Sequence, residues 1–198
     1  MKKIILALTV MLSVSIYSQV QQTTWRIDPV HSTIQFTVSH LVISKVTGNF
    51  KNFDGVLKTS KDDFNDSDIE FNIDVNSINT ENEKRDNHLK SQDFFYAEKY
   101  PKIIFKSRSF KKVSENKYKL TGDFTMRDVT KPVELDVVYN GTVKDPWGNQ
   151  RAGFSITGSV NRFDYNLKWN SLMEAGGAVV GKTVDILCNV EMVRQNKN

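Results

Sequence analysis

The chain has 198 residues, of which 27 are basic and 23 acidic, with three histidines and one cysteine. A net charge of +4, spread among interleaved acids and bases, argues against a nucleic-acid surface. A lone cysteine excludes an intrachain disulfide, and beyond the N-terminus no apolar run is long enough to cross a bilayer as a helix.

The first 18 residues read as a secretory signal peptide. Lys2 and Lys3 form a basic start, Ile4 to Val14 an apolar stretch too short to span a membrane, and Ser13, Ser15 and Ser18 supply small residues. Cleavage is expected after Ser18, leaving residues 19–198 as one domain in the periplasm or outside the cell. Without Lys2 and Lys3 the excess of basic residues falls from four to two.

A series of strand signals comes next. Trp25 and Ile27 alternate with polar residues up to Pro29, and Ile34, Phe36 and Val38 alternate with Thr33, Gln35 and Thr37. Val46, Gly48 and Phe50 keep one phase, whereas Phe53, Gly55 and Leu57 take the other. A bulge or sharp bend is therefore expected near Asn52. Ile69, Phe71, Ile73 and Val75 make the next run.

Residues 77–107 change character. Thr80 with Glu83 reads as a capping box opening a helix to about Lys90, on which only Leu89 is large and apolar. Phe94, Phe95 and Tyr96 supply apolar anchors after the helix, and Tyr100-Pro101 leads into a strand with Ile103, Ile104 and Phe105. The stretch reads as a polar flap pinned by aromatics over one end of a β structure.

Four further runs complete the pattern: Tyr118 to Met126, Val133 to Tyr139, Phe154 to Val160, and Val184 to Met192. Arg127-Asp128 is expected to be a solvated turn, Asp145-Pro146-Trp147-Gly148 another, and Asn161 to Gly177 a longer loop. About eight short strands with alternating faces predict an all-β protein, an antiparallel barrel or sandwich. The inward phase collects Phe36, Val38, Phe50, Phe71, Ile73, Phe105, Phe124, Leu135, Val137, Phe154, Ile156 and Ile186. Such residues either fill a solid core or line a tunnel. Glycines 48, 122 and 158 on that face leave room or mark a bend.

Chemistry is sparse. His31, His40 and His88 lack helical metal-site spacing, no G-x-S-x-G elbow occurs, and no glycine-rich loop opens a helix. No catalytic residue, metal or cofactor is expected. Cys188 reads as a small hydrophobe on a strand. Arg85 and His88, three apart on one helix face, are candidates to hold a polar head group, Arg85 by bidentate contact with an anion.

The blocks Ser77-Ile78-x-Thr80, Arg85-Asp86-x-His88-Leu89, Asp93-Phe94-Phe95 and Tyr100-Pro101-x-Ile103-x-Phe105 resemble the signature of the YceI-like family. So do Trp25-x-Ile27-Asp28-x-x-His31-Ser32, Gly122-x-Phe124-Thr125-x-Arg127, Asn161-Arg162-x-Asp164 and Val180-Gly181. Asn166 departs from it, standing where a glycine is expected after the aromatic. The resemblance implies an eight-stranded lipocalin-like barrel, mostly periplasmic in that family, a tunnel for a polyisoprenoid or similar fatty amphiphile, and a homodimer. It points to a carrier or store without chemistry of its own. An enzyme acting on an apolar substrate in the barrel, and a solid-core interaction or stress protein, are the alternatives.

Overall fold

The protein is described by a computed structural model covering residues 21–171 and 179–195. The signal-peptide reading of residues 1–18 and part of the 161–177 loop lie outside these described residues.

Eleven strands run β1 (Thr23–Ile27), β2 (Thr33–His40), β3 (Ser44–Phe50), β4 (Phe53–Thr59), β5 (Asp68–Asp74), β6 (Ile78–Asn79), β7 (Lys102–Lys112), β8 (Lys117–Met126), β9 (Val129–Lys144), β10 (Gln150–Asn161) and β11 (Val180–Arg194). Among the described residues one α-helix, α1 (Glu83–Lys90), lies between β6 and β7. All strand pairings are antiparallel, and β1 with β11 closes the sheet on itself. The fold is thus the expected antiparallel barrel.

The eleven strands make eight staves. β2 and then β1 lie along one edge of β11, with Cys188 opposite Ile34 and Met192 opposite Ile27. β3 and β4 pair with β2 and β1, and β6 and β5 with β3 and β4. Each of these three staves is broken by a bend. The phase slip near Asn52 is one of them: residues 51–52 turn the chain so that Phe50 and Phe53 are both buried. The neighbouring bend is tied to it, with Asp74 N donating to Asn52 O at 2.9 Å and Lys51 N to Ser77 O at 3.1 Å. Bends of this kind let a short sheet curve into closure.

The ends are closed differently. At one, the loop at residues 60–67 folds Phe64 inward until it is 2% exposed, against Trp25, Tyr139 and Phe154. At the other lie α1, the segment to Pro101, the β8–β9 turn and the 161–171 segment. Asn166 there adopts φ 62°, the left-handed conformation that asparagine tolerates.

The inward glycines do not leave open space. Phe36 leans over Gly48, Phe71 over Gly55, Phe105 over Gly122 and Leu135 over Gly158, each occupying the place where a Cβ would stand. A Cβ on Gly122 would also meet the Lys106 carbonyl oxygen at 2.5 Å, so backbone as well as ring would have to move. Gly122→Ala is expected to cost about 1–3 kcal/mol in urea unfolding, the usual scale of overpacking. Gly153→Ala meets nothing closer than 3.4 Å and should stay within about 0.5 kcal/mol of wild type. Equal midpoints for the two variants would overturn this account of the wall.

Candidate functional site

The barrel encloses a cavity. It has about 1290 Å³ of atom-free space, including its open part. The surface it presents is wholly apolar among the described residues. Eleven of the twelve inward positions expected from the alternation line it. Val38 does not. It pairs with Val46 and Val184 toward the β2–β3 turn, at the rim. Phe36, Phe71, Phe124, Ile156 and Ile186 point inward and yet are only half-buried, because the lumen lies in front of them.

The twelve positions leave out other lining residues, among them Ile34, Leu57, Phe95, Phe110, Leu120 and Cys188. Phe95 comes from the flap and meets Phe50 edge-on at 6.1 Å between ring centres. Only its place in the Phe94-Phe95-Tyr96 cluster signalled it. Cys188 shares the phase of Ile186 on β11, which was the legible sign.

The helical cap is organised differently from the capping box expected at Thr80. Asn82 is the N-cap, its side chain accepting from Arg85 N at 2.9 Å. Thr80 turns inward instead, and its N–H and hydroxyl donate to buried Asp86 at 2.9 and 2.5 Å. Arg85 donates from Nε to the Thr80 hydroxyl and from Nη2 to its carbonyl, both at 2.7 Å. His88 lies 2.9 Å from the Asp93 carboxylate, with its ring edge-on to Phe94 and Trp169. The two head-group candidates are therefore also struts of the cap.

Arg127 is not the solvated turn charge that its sequence suggests. At φ 56° it reaches back under the cap, where Nη1 donates to Phe94 O at 3.0 Å and Asn166 O at 2.7 Å. Arg162, 3% exposed, donates to the carbonyls of Gly181, Leu167, Trp169 and Val180 at 2.5–3.1 Å. Burial pulls its pKa down from the usual arginine value. Neither role is readable locally, because every partner is a main-chain oxygen, and those of Arg127 lie 33 and 39 residues away.

A family model for the YceI-like domain matches residues 25–192. The chain belongs to this family. A UPF0312 protein of Staphylococcus aureus is 39% identical over 170 residues, covering 85% of this chain and 96% of that protein. The YceI protein of Campylobacter jejuni superposes with a TM-score of 0.69 at 32% identity, over 80% of this chain and 90% of the other. A polyisoprenoid binding domain from Saccharophagus degradans shares the fold, with a TM-score of 0.62 at 16% identity over 86% and 98% of the two chains.

Two ionisable features of this YceI-like barrel lie away from the cap. On the outer wall Asp28, His31 and Glu191 come within metal-ligating distance of one another. Arg151 already sits among them, with Nη1 at 2.7 Å from Asp28 and also on Glu191, and Nε at 2.7 Å from Asp145. Burial works against the Asp28 charge. Hydrogen bonds from His31 and Arg151 outweigh it and hold that carboxyl well below the usual range. The cluster is an ion-pair knot joining the chain start to β10 and β11.

Inside the lumen, enclosure pushes the Cys188 thiol up to about 12. The neutral thiol is thus favoured in the fold. Its stabilising effect is complete below the unfolded value near 9 and is lost as pH rises from about 9 towards 12. Wild type is expected to lose more urea resistance than Cys188→Ala between about pH 8 and pH 11. Parallel losses would mean that the thiol is not enclosed.

Proposed function

We propose that this protein binds the chain of a polyisoprenoid or similar long amphiphile in its lumen and carries or stores it in the periplasm or outside the cell. One observation carries the reading: a closed eight-stave barrel of this family keeps a cavity whose surface, among the described residues, is wholly apolar. Each methylene leaving water there is worth about 0.8 kcal/mol. Association and ordering offset part of that gain, so a long chain is favoured over a short one. Walls without polar groups recognise hydrocarbon rather than a particular molecule, and the head group is set elsewhere. The likeness to the Saccharophagus polyisoprenoid binding domain supports the same class of ligand.

Catalysis on a substrate in the lumen is the weaker reading. Gln35 and Glu70 border the cavity, but the Glu70 carboxylate faces Lys106 at 3.7 Å on the outer wall. The remaining ionisable neighbour, Cys188, is held as the unreactive thiol. A solid core is opposed by the cavity itself. The helix-bearing end is our proposed entrance, since the opposite end is stopped by Phe64. Arg85, with no protein partner for Nη1 among the described residues, remains our head-group candidate there, with His88 beside it. Export and the homodimer remain proposals as well, checked by N-terminal sequencing of the secreted protein and by light scattering of the purified one.

The direct test is mass spectrometry of an organic extract from protein purified without detergent, against a denatured and washed control. A stoichiometric prenyl or acyl lipid is the expected result. An empty extract, together with failure to take up added prenyl alcohol, would overturn the proposal. Phe124→Trp, which fills the half-buried inner face, should lower prenyl alcohol affinity at least tenfold with a melting temperature close to wild type. Equal damage to both would indicate a packed core. Arg85→Ala should weaken a prenyl phosphate severalfold more than the matching alcohol. An equal effect on the two would remove Arg85 from head-group recognition.

A further inference from the structure

The closed end of the cavity contains more construction than exclusion of water requires. Phe154 and Phe110 line the lumen there and are 5% and 1% exposed. Phe110 stacks on Tyr118 at 4.7 Å. Behind Phe154 stands Phe64, which comes from the loop at residues 60–67, where every other residue is polar. Its ring meets Phe154 edge-on at 5.3 Å, Trp25 at 5.2 Å and Tyr139 at 5.4 Å. Tyr139 also lies 5.4 Å from Phe154, so the Phe154 ring is held from two sides.

The loop is strained and fastened. Phe64 and Asp66 have φ of 60° and 66°, a region that side chains enter at a cost and that marks positions imposed by the surroundings. Tyr118 Oη donates to Asp63 O at 2.5 Å, Ser67 Oγ to Phe64 O at 2.6 Å, and Asp66 N to Phe110 O at 2.8 Å. Outside, the Asp66 carboxylate accepts from Lys61 at 2.6 Å and from Lys111. These ties act together to keep one ring fixed behind another. A floor packed in this way cannot recede when a longer chain presses on it.

We propose that Phe154, backed by Phe64, is the residue that sets the longest chain the lumen accepts. The inference rests on the binding reading above and adds a length limit to it. Each further isoprene unit gains affinity while it finds apolar wall. The gain stops where the chain end meets the Phe154 ring, and longer chains must bend or leave carbons outside. A phenyl ring and an isoprene unit are of similar size, so removing the ring deepens the lumen by about one unit.

The test is a length series of linear prenyl alcohols, rising one isoprene unit at a time from farnesol, titrated into delipidated full-length protein by displacement of a naphthylamine fluorophore. Wild type should gain affinity severalfold per unit up to one length and then level off. Phe154→Ala should move that break about one unit longer. Phe154→Leu, which disturbs packing less, should move it in the same direction if the alanine variant does not fold. Affinity that rises without a break in wild type, or a break at the same length in a folded variant, overturns the proposal and leaves the binding reading intact. If no alcohol of any length binds, the binding reading fails and the length limit falls with it.

Discussion

The cavity depends on a contact between side chains and missing side chains. An eight-stave barrel is so narrow that inward residues of ordinary size fill it. This one points phenylalanines and leucines inward and still keeps a lumen, because four of them lean over glycines on the neighbouring staves. Phe36 stands opposite Gly48, and Phe71 opposite Gly55, in the strand register itself. Register and cavity are therefore one property. A slip of one residue would send each ring to the outer face and a polar neighbour inward.

Around that wall the two ends use different physical chemistry. The Phe64 end is aromatic, built from edge-on rings that exclude water by packing. At the helical end α1 is polar over most of its length, while the segments around it bury Phe94, Phe95, Tyr165 and Leu167. These irregular segments are also held by arginines that donate to main-chain oxygens. Carbonyls outside regular structure need donors, and a guanidinium offers five N–H groups in a fixed plane. Arg127 serves two such carbonyls, and Arg162 serves two, of Leu167 and Trp169, along with two at the start of β11. Burying Arg162 is unfavourable in itself, and these hydrogen bonds are what offset the loss of water.

Arg85, Asp86 and His88 belong to the same logic. Asp86 is buried and takes both donors of Thr80, while Arg85 takes the Thr80 acceptors. Arg85 and Asp86 fix the cap through one threonine whose methyl group borders Gly48 on the inner wall, and His88 holds it through Asp93. The cap is thereby coupled to the wall that would face an apolar chain. A side chain in this position serves the fold whether or not it also meets a head group.

Local pattern alone determined the strands, an all-β barrel or sandwich, the bend at Asn52 and eleven of the residues that line the lumen. These stem from period-two alternation, which is written in consecutive residues. The polar flap was legible from its composition, and the left-handed Asn166 from the family resemblance, in which a glycine is expected there. Only the tertiary structure decided that the barrel is hollow, that inward glycines receive rings, that Thr80 faces Asp86 rather than capping α1, and that Arg127 lies under the cap. It also decided that Phe64, one aromatic in a polar loop, stops one end. Most of these rest on partners far apart in sequence, or on main-chain atoms that every residue carries alike; Thr80 and Asp86 are only six apart, but the choice between them and the helix cap depends on which side chain the wall buries. A residue's own neighbours say which face it takes, but what stands opposite it is settled when the staves close.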